Sequence, residues 1–238
     1  MSAIVTELRA YRRCKPGTQP EYDHQPYTSS EKRHLEHPLI AVPHTLTEIT
    51  GPQFTTEDIK KSSCDLTLHG NGKALGQRIA VSGRVLDEDG RPVRRTLVEV
   101  WQANAAGRYL HRNDQHNAPI DPNFPGEGHT LTDDEGRYRF VTIKPGAYPW
   151  RNHHNAWRPQ HIHFSLFGPA VATRVVTQMY FPGDPLLPFD PIYNCTADEE
   201  ARKRLISVFD WETTIPEEML GFKFDIVLRG RNATPMEA

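Results

Sequence analysis

The segment Trp157–Ser165, "WRPQHIHFS", sets His161 and His163 one residue apart at the head of an apolar alternation. In an extended chain, side chains at i and i+2 share a face, roughly 7 Å apart at the backbone. The two imidazoles therefore project together, while Ile162, Phe164 and Leu166 point the other way, into a core. Imidazoles so paired can converge on one first-row metal ion. Two nitrogens do not complete a shell, and Cys14, Cys64 and Cys195 offer no ligand motif. The chain carries 12 histidines, so neighbouring pairs also arise by chance; His153 and His154 read as such, in an exposed loop. Pattern alone leaves His161 and His163 open between a metal site and ordinary strand residues.

The elements that must position this pair are short and separated by turns, as 20 prolines and 16 glycines among 238 residues suggest. "RIAVSGRVLDEDGRPV" reads as a hairpin around Asp89-Gly90. In "TLVEVWQAN", Leu97, Glu99 and Trp101 share one face and Val98, Val100 and Gln102 the other. A turn at Asp134-Glu135-Gly136 leads into a strand from Tyr138 to Ile143, ended by Pro145-Gly146. "HIHFSLF", "TRVVTQMYF" and "FKFDIVLRG" supply three more strands. One helix is predicted in "TADEEARKRLISVFD", capped by Thr196, with Leu205, Val208 and Phe209 on a shared face. The fold class is all-β: short strands separated by turn signals mean a sandwich or barrel, and a prealbumin-like sandwich core with an irregular N-terminal arm and one short helix is expected. The arm covers residues 1–76, rich in Pro, His, Thr and charge, and is expected to drape over a partner or the core. Residues 77–238 are expected to form the sandwich domain that carries the site.

Bulk properties exclude several classes. A net charge of -2 without a basic run argues against binding nucleic acid or a membrane surface through the field alone. No apolar run approaches the roughly 20 residues of a membrane span. The opening residues lack the apolar core of a secretory signal, and the odd cysteine count fits reduced thiols, so a cytoplasmic location is expected.

"VEVWQANAAGRY", "TIKPGAYPWRN", "WRPQHIHFS", "YFPGDPL" and "FDIVLRG" follow one another in that order. Together they resemble the intradiol ring-cleaving dioxygenases, strongly from about Arg78 to Gly230 and more loosely in the arm, around "QPYTSS" and "LTEITGPQF". The resemblance implies a non-haem Fe(III) held by Tyr109, Tyr148, His161 and His163. Pattern alone does not pick these two among eight tyrosines, and Tyr138 reads as a packing residue. Two phenolates are hard anionic donors that favour iron(III) over iron(II). With a pKa of about 10 for a free phenol, the metal's charge must keep them ionised at neutral pH. The implied substrate is a catechol, 3,4-dihydroxybenzoate (protocatechuate), chelated as a dianion with a hydroxide and one displaced tyrosinate taking up its protons, and Tyr148 is implied to be catalytic as well as a ligand. O2 then opens the ring between the hydroxylated carbons, giving 3-carboxy-cis,cis-muconate. Arg158 matches a position whose fixed charge stabilises the activated ring, and Gln178 a polar neighbour beside it. Trp150, Ile192 and Tyr27 match positions around the substrate. The resemblance is to the iron-bearing beta chain of a hetero-oligomer, implying a homologous alpha chain as partner. Members that act on catechol or hydroxyquinol remain an alternative. So does a non-catalytic prealbumin-like binding module, because "DDEGRYRFVTIKPGAYP" suits such sandwiches equally. A zinc hydrolase lacks the accompanying Glu or third His.

Overall fold

A computed structural model describes residues 14–32, 34–37, 64–69, 71–150, 157–167 and 174–237. Eleven strands dominate: β1 (Arg78–Leu86), β2 (Leu97–Trp101), β3 (Glu127–Leu131), β4 (Arg137–Ile143), β5 (Tyr148–Pro149), β6 (Trp157–Arg158), β7 (His161–Phe167), β8 (Val175–Tyr180), β9 (Val208–Ile215), β10 (Met219–Lys223) and β11 (Ile226–Val227). Two sheets face each other. In one, β1 is central, antiparallel to β4 on one side and parallel to β10 and β11, end to end, on the other; β9 pairs β10 at the edge. The other runs β3-β2-β7-β8, all antiparallel.

The core between the sheets is built by the expected alternation. Ile79, Val81 and Val85 of β1 and Tyr138, Phe140 and Ile143 of β4 meet Val98, Val100, Ile162, Phe164, Leu166 and Met179. Phe164 stands edge-on to Phe140 and Tyr138, with ring centroids 5.8 and 5.9 Å away, geometries that aromatic quadrupoles favour. Tyr138 is a packing residue as expected, its hydroxyl donating to the Phe224 carbonyl inside the core. The opposite face of β7 is left to His161 and His163, which is the face that matters for chemistry.

Four details differ from the sequence expectation. The return strand after Asp89-Gly90 shrinks to a single bridge between Leu86 and Pro92, because Pro92 has no N–H to continue a ladder. "FKFDIVLRG" breaks into parts of β10 and β11; at the break the Asp225 side chain accepts from the Arg84 N–H (2.9 Å) in place of a carbonyl. The helix predicted from Thr196 is only α2 (Glu199–Lys203), capped by Asp198, whose carboxylate accepts from Ala201 N–H at 2.9 Å. It is preceded by a second short helix, α1 (Pro191–Asn194). Val208 and Phe209 instead open β9, where "VFDWETTI" obeys its β-branched and aromatic content. β3, "EGHTL", carries no apolar alternation and is an edge strand that sequence reading passed over.

Most of the arm lies outside the described residues, as do His153, His154 and "LTEITGPQF". No disulfide links Cys14, Cys64 and Cys195. Among the described residues no helix is long and apolar enough to cross a membrane.

Candidate metal centre

Sheet register assembles the site. In β7, His163 lies opposite Trp101 of β2 and Gln178 of β8, and His161 lies opposite Tyr180 of β8. These side chains share the face turned away from the core. The Trp101 indole stacks on His163, 4.8 Å between centroids and 7° between planes, fixing the ring's tilt. Both imidazoles are buried, with exposures of 2% and 8%. Neither imidazole is therefore an exposed strand residue.

Each imidazole has its Nδ1 occupied. His161 Nδ1 lies 2.7 Å from the Pro159 carbonyl, and His163 Nδ1 lies 3.0 Å from the Glu237 carboxylate. Acceptors at Nδ1 hold the proton there and leave Nε2 with its lone pair. Burial, followed by the nearby Arg158 charge, pushes His161 well below its ordinary pKa, so it stays neutral.

The two tyrosines arrive on loops locked backbone to backbone. After β2 the chain turns around Asn104, whose Oδ1 accepts from the N–H groups of Ala106 (2.9 Å) and Arg108 (3.0 Å). The Asn104 carbonyl accepts from both Gly107 (3.0 Å) and Gly146 (2.9 Å), joining "NAAGRY" to "KPGAYP". Gly107 takes φ +77°, and a Cβ there would lie 2.2 Å from the Ala147 carbonyl oxygen; at Gly146 it would lie 2.5 Å from that of Ala105. Only glycine permits this approach. Asp114 then accepts from Tyr109 N–H at 2.7 Å, and Tyr148 pairs with Arg158 across the small β5–β6 ribbon. Gly146→Ala is therefore expected to prise the two loops apart. Overpacking costs about 1–3 kcal/mol, and a displacement of about 1 Å at the phenols lowers turnover by roughly a hundredfold. Denaturant midpoints and kcat of the variant check both figures.

The result is one cluster of four donors. The Tyr109 and Tyr148 rings meet edge-on at 5.4 Å, Tyr148 lies 5.6 Å from His161, Tyr109 6.4 Å from His163, and the imidazoles 4.9 Å from each other. Tyr148 Oη sits 3.4 Å from His161 Nε2. Tyr109 Oη is buried and has no hydrogen-bond partner, a rare and costly condition for a hydroxyl. Burial raises both phenols, Tyr109 well above its ordinary pKa and further because of Tyr148, while Arg158 partly offsets the rise at Tyr148. An orphaned phenol and two imidazoles with lone pairs turned inward fit a cation. Two phenols ionised by it would neutralise most of a trivalent charge. Among the described residues no cluster of three or more His, Cys, Asp or Glu offers a rival site.

Arg158 is buried beside this cluster and does not pair with a surface carboxylate. Its Nε and Nη2 reach the two Asp190 oxygens at 3.2 and 3.0 Å, with exposures of 3% and 0% for the two side chains. Nη2 also reaches Gln178 Oε1 (2.6 Å) and Tyr180 Oη (3.1 Å), and Nη1 lies 3.3 Å from His161 Nε2. Burial disfavours the charged guanidinium, but Asp190 together with Tyr180 and Tyr148 more than offsets it, and Arg158 remains a fixed cation. Trp150 lies over that guanidinium at 5.6 Å and packs with Tyr27 (5.3 Å), Ile192 and Cys195. Tyr27, Trp150 and Ile192 thus form one apolar wall. A cleft of about 890 Å³ opens onto Tyr109, Tyr148, Trp150, Trp101 and His163. Sequence reading missed Trp101, Tyr180, Asp190 and Glu237. The register opposite His163 and His161 would have flagged the first two; nothing local marks the others.

Comparison with known proteins identifies the family. The dioxygenase family profile matches residues 49–230, and the profile for the N-terminal part of the protocatechuate 3,4-dioxygenase beta subunit matches residues 11–45. The chain is 61% identical to the protocatechuate 3,4-dioxygenase beta chain of Burkholderia cepacia over 92% of its own length and 93% of the relative's. It is 29% identical to the protocatechuate 3,4-dioxygenase alpha chain of Pseudomonas putida, over 68% of this chain and 76% of that one. The solved hydroxyquinol 1,2-dioxygenase of Pseudomonas putida DLL-E4 shares the fold with a TM-score of 0.58 at 22% identity, covering 88% of this chain and 74% of that one. The chain belongs to the intradiol ring-cleaving dioxygenases, oxidoreductases that use non-haem iron.

Proposed function

We propose that this chain is the iron-bearing beta chain of a hetero-oligomer that cleaves protocatechuate with O2 to 3-carboxy-cis,cis-muconate, paired with a homologous alpha chain. The observation that carries the reading is the convergence of Tyr109, Tyr148, His161 and His163 within one buried cluster. The 61% identity to a beta chain of that name supports the substrate and the partner. Iron(III) bound by these four side chains would chelate the catechol and make its ring reactive toward O2.

The protein's own groups do the rest. Trp150, which lines the cleft and is backed by Tyr27 and Ile192, takes the face of the ring and keeps water from the reacting carbons. Tyr148 Oη, beside His161 Nε2, receives one proton as the catechol binds as a dianion. Arg158, held by Asp190 and Gln178, presents fixed positive charge where electron density on the bound ring rises. Because its orientation is set before substrate arrives, no reorganisation is needed during the reaction.

The test is a visible spectrum of the enzyme purified with its partner chain, before and after adding 3,4-dihydroxybenzoate, followed by identification of the product. A wine-red tyrosinate-to-iron band that shifts on addition, with 3-carboxy-cis,cis-muconate formed, is expected. An iron-replete but colourless protein would remove the ligand assignment, and cleavage beside rather than between the hydroxyls would remove the reaction.

A further inference from the structure

We infer that Glu237 is a positioning residue for the metal centre: its carboxylate holds the Nδ1 proton of His163 and strengthens that imidazole as a donor. The inference rests on the proposed iron site and goes beyond it. The two histidines are not equivalent. His161 gives its Nδ1 proton to a neutral acceptor, the Pro159 carbonyl at 2.7 Å. His163 faces a carboxylate oxygen at 3.0 Å, supplied from 74 residues further along the chain. An anionic acceptor draws the proton away from the ring and raises electron density at Nε2, the atom turned into the cluster.

The carboxylate is aimed, not incidental. Residues 234–237 are fastened at successive points, first to β11 and then to β8, the open edge of the β3-β2-β7-β8 sheet. Thr234 exchanges hydrogen bonds with Val227 through both backbone and side chain (2.9 and 3.0 Å). Thr177 Oγ1 donates to the Pro235 carbonyl at 2.7 Å, Met236 N–H to Gln19 Oε1 at 2.9 Å, and Glu237 N–H to the Val176 carbonyl at 2.7 Å. With its own amide pinned to β8, Glu237 reaches across to β7 and meets the Nδ1 edge of His163, whose ring is stacked on Trp101. His163 is thereby fixed in tilt by stacking and in rotation by a charge-assisted hydrogen bond.

Three variants, each purified with the partner chain, test this. In Glu237→Ala, release of iron to a chelator is expected to accelerate about 10–100-fold, the usual effect of removing an outer-shell carboxylate. The tyrosinate-to-iron band should move to longer wavelength, because a weaker imidazole donor leaves the metal more electron-poor. Glu237→Gln, which still accepts from Nδ1 through a neutral oxygen, should show a smaller shift in the same direction and keep most of the iron. Thr177→Val loosens the segment but spares the carboxylate, and should leave band and release rate unchanged. If Glu237→Ala matches the parent in both readouts, the inference falls while the iron site stands. It also falls if Thr177→Val reproduces the Glu237→Ala effects, since docking of the segment would then be the whole explanation. A parent protein with no tyrosinate band overturns the iron site and this inference together.

Discussion

Replacing His161 with Ala is expected to give a folded protein without bound iron and without measurable ring cleavage. The loss should exceed the roughly 10–100-fold cost of removing an outer-shell group, because the side chain is proposed to bind the metal itself. Folding should survive, since β7 is anchored from its other face by Ile162, Phe164 and Leu166, all fully buried in the core. Tyr148→Phe should behave alike, losing iron or turnover while the sandwich persists. Tyr109→Phe makes the sharper experiment. Its hydroxyl is buried without a partner, and such an atom destabilises the metal-free protein by about 1–3 kcal/mol. Removing that oxygen should leave the iron-free protein at least as stable as the parent, while iron affinity collapses. Iron analysis, the visible band and thermal melting of iron-free protein separate these effects. A Tyr109→Phe protein that retains both its colour and its iron would dissolve the four-donor arrangement.

The second large effect concerns stability. Asp190 is fully buried and takes both Nε and Nη2 of a buried arginine. Asp190→Ala leaves Arg158 as an uncompensated interior cation, which costs about 3–5 kcal/mol. At this chain length that corresponds to a fall in melting temperature of roughly 10 °C. Turnover should fall too, because the guanidinium loses the partner that aims it past Gln178 and Tyr180 toward His161. Adding Arg158→Met to Asp190→Ala should recover most of the melting temperature and none of the activity. That split distinguishes a charge kept for chemistry from one kept for folding. Equal melting temperatures for the parent and Asp190→Ala would mean that the pair is not closed to solvent in solution.

What the chain disclosed in advance follows from which interactions are local. β7 was legible because an alternation with period 2 sorts His161 and His163 from Ile162, Phe164 and Leu166 without any knowledge of the partner strands. β2 was legible for the same reason. The tyrosines were not: Tyr109 and Tyr148 owe their convergence to a main-chain contact between two turns, and only likeness to a family singled them out. Asp190 and Glu237 were beyond reach because their meaning depends on Arg158 and His163, residues 32 and 74 positions away. The helix expected through Val208 and Phe209 failed where charged helix formers run into a β-branched and aromatic stretch with no glycine or proline between them. Intrinsic preference changed there without punctuation, and β10 supplied the partner that made a strand.

The contact between Gly107 and Gly146 divides the site into a part that can adapt and a part that cannot. The two phenol-bearing turns meet main chain to main chain, so the spacing of their backbones is insulated from repacking elsewhere. The apolar wall of Tyr27, Trp150 and Ile192, by contrast, is all side chain. Changes of ring substituent tolerance should therefore accumulate along that wall, leaving the electronic character of the centre unaltered.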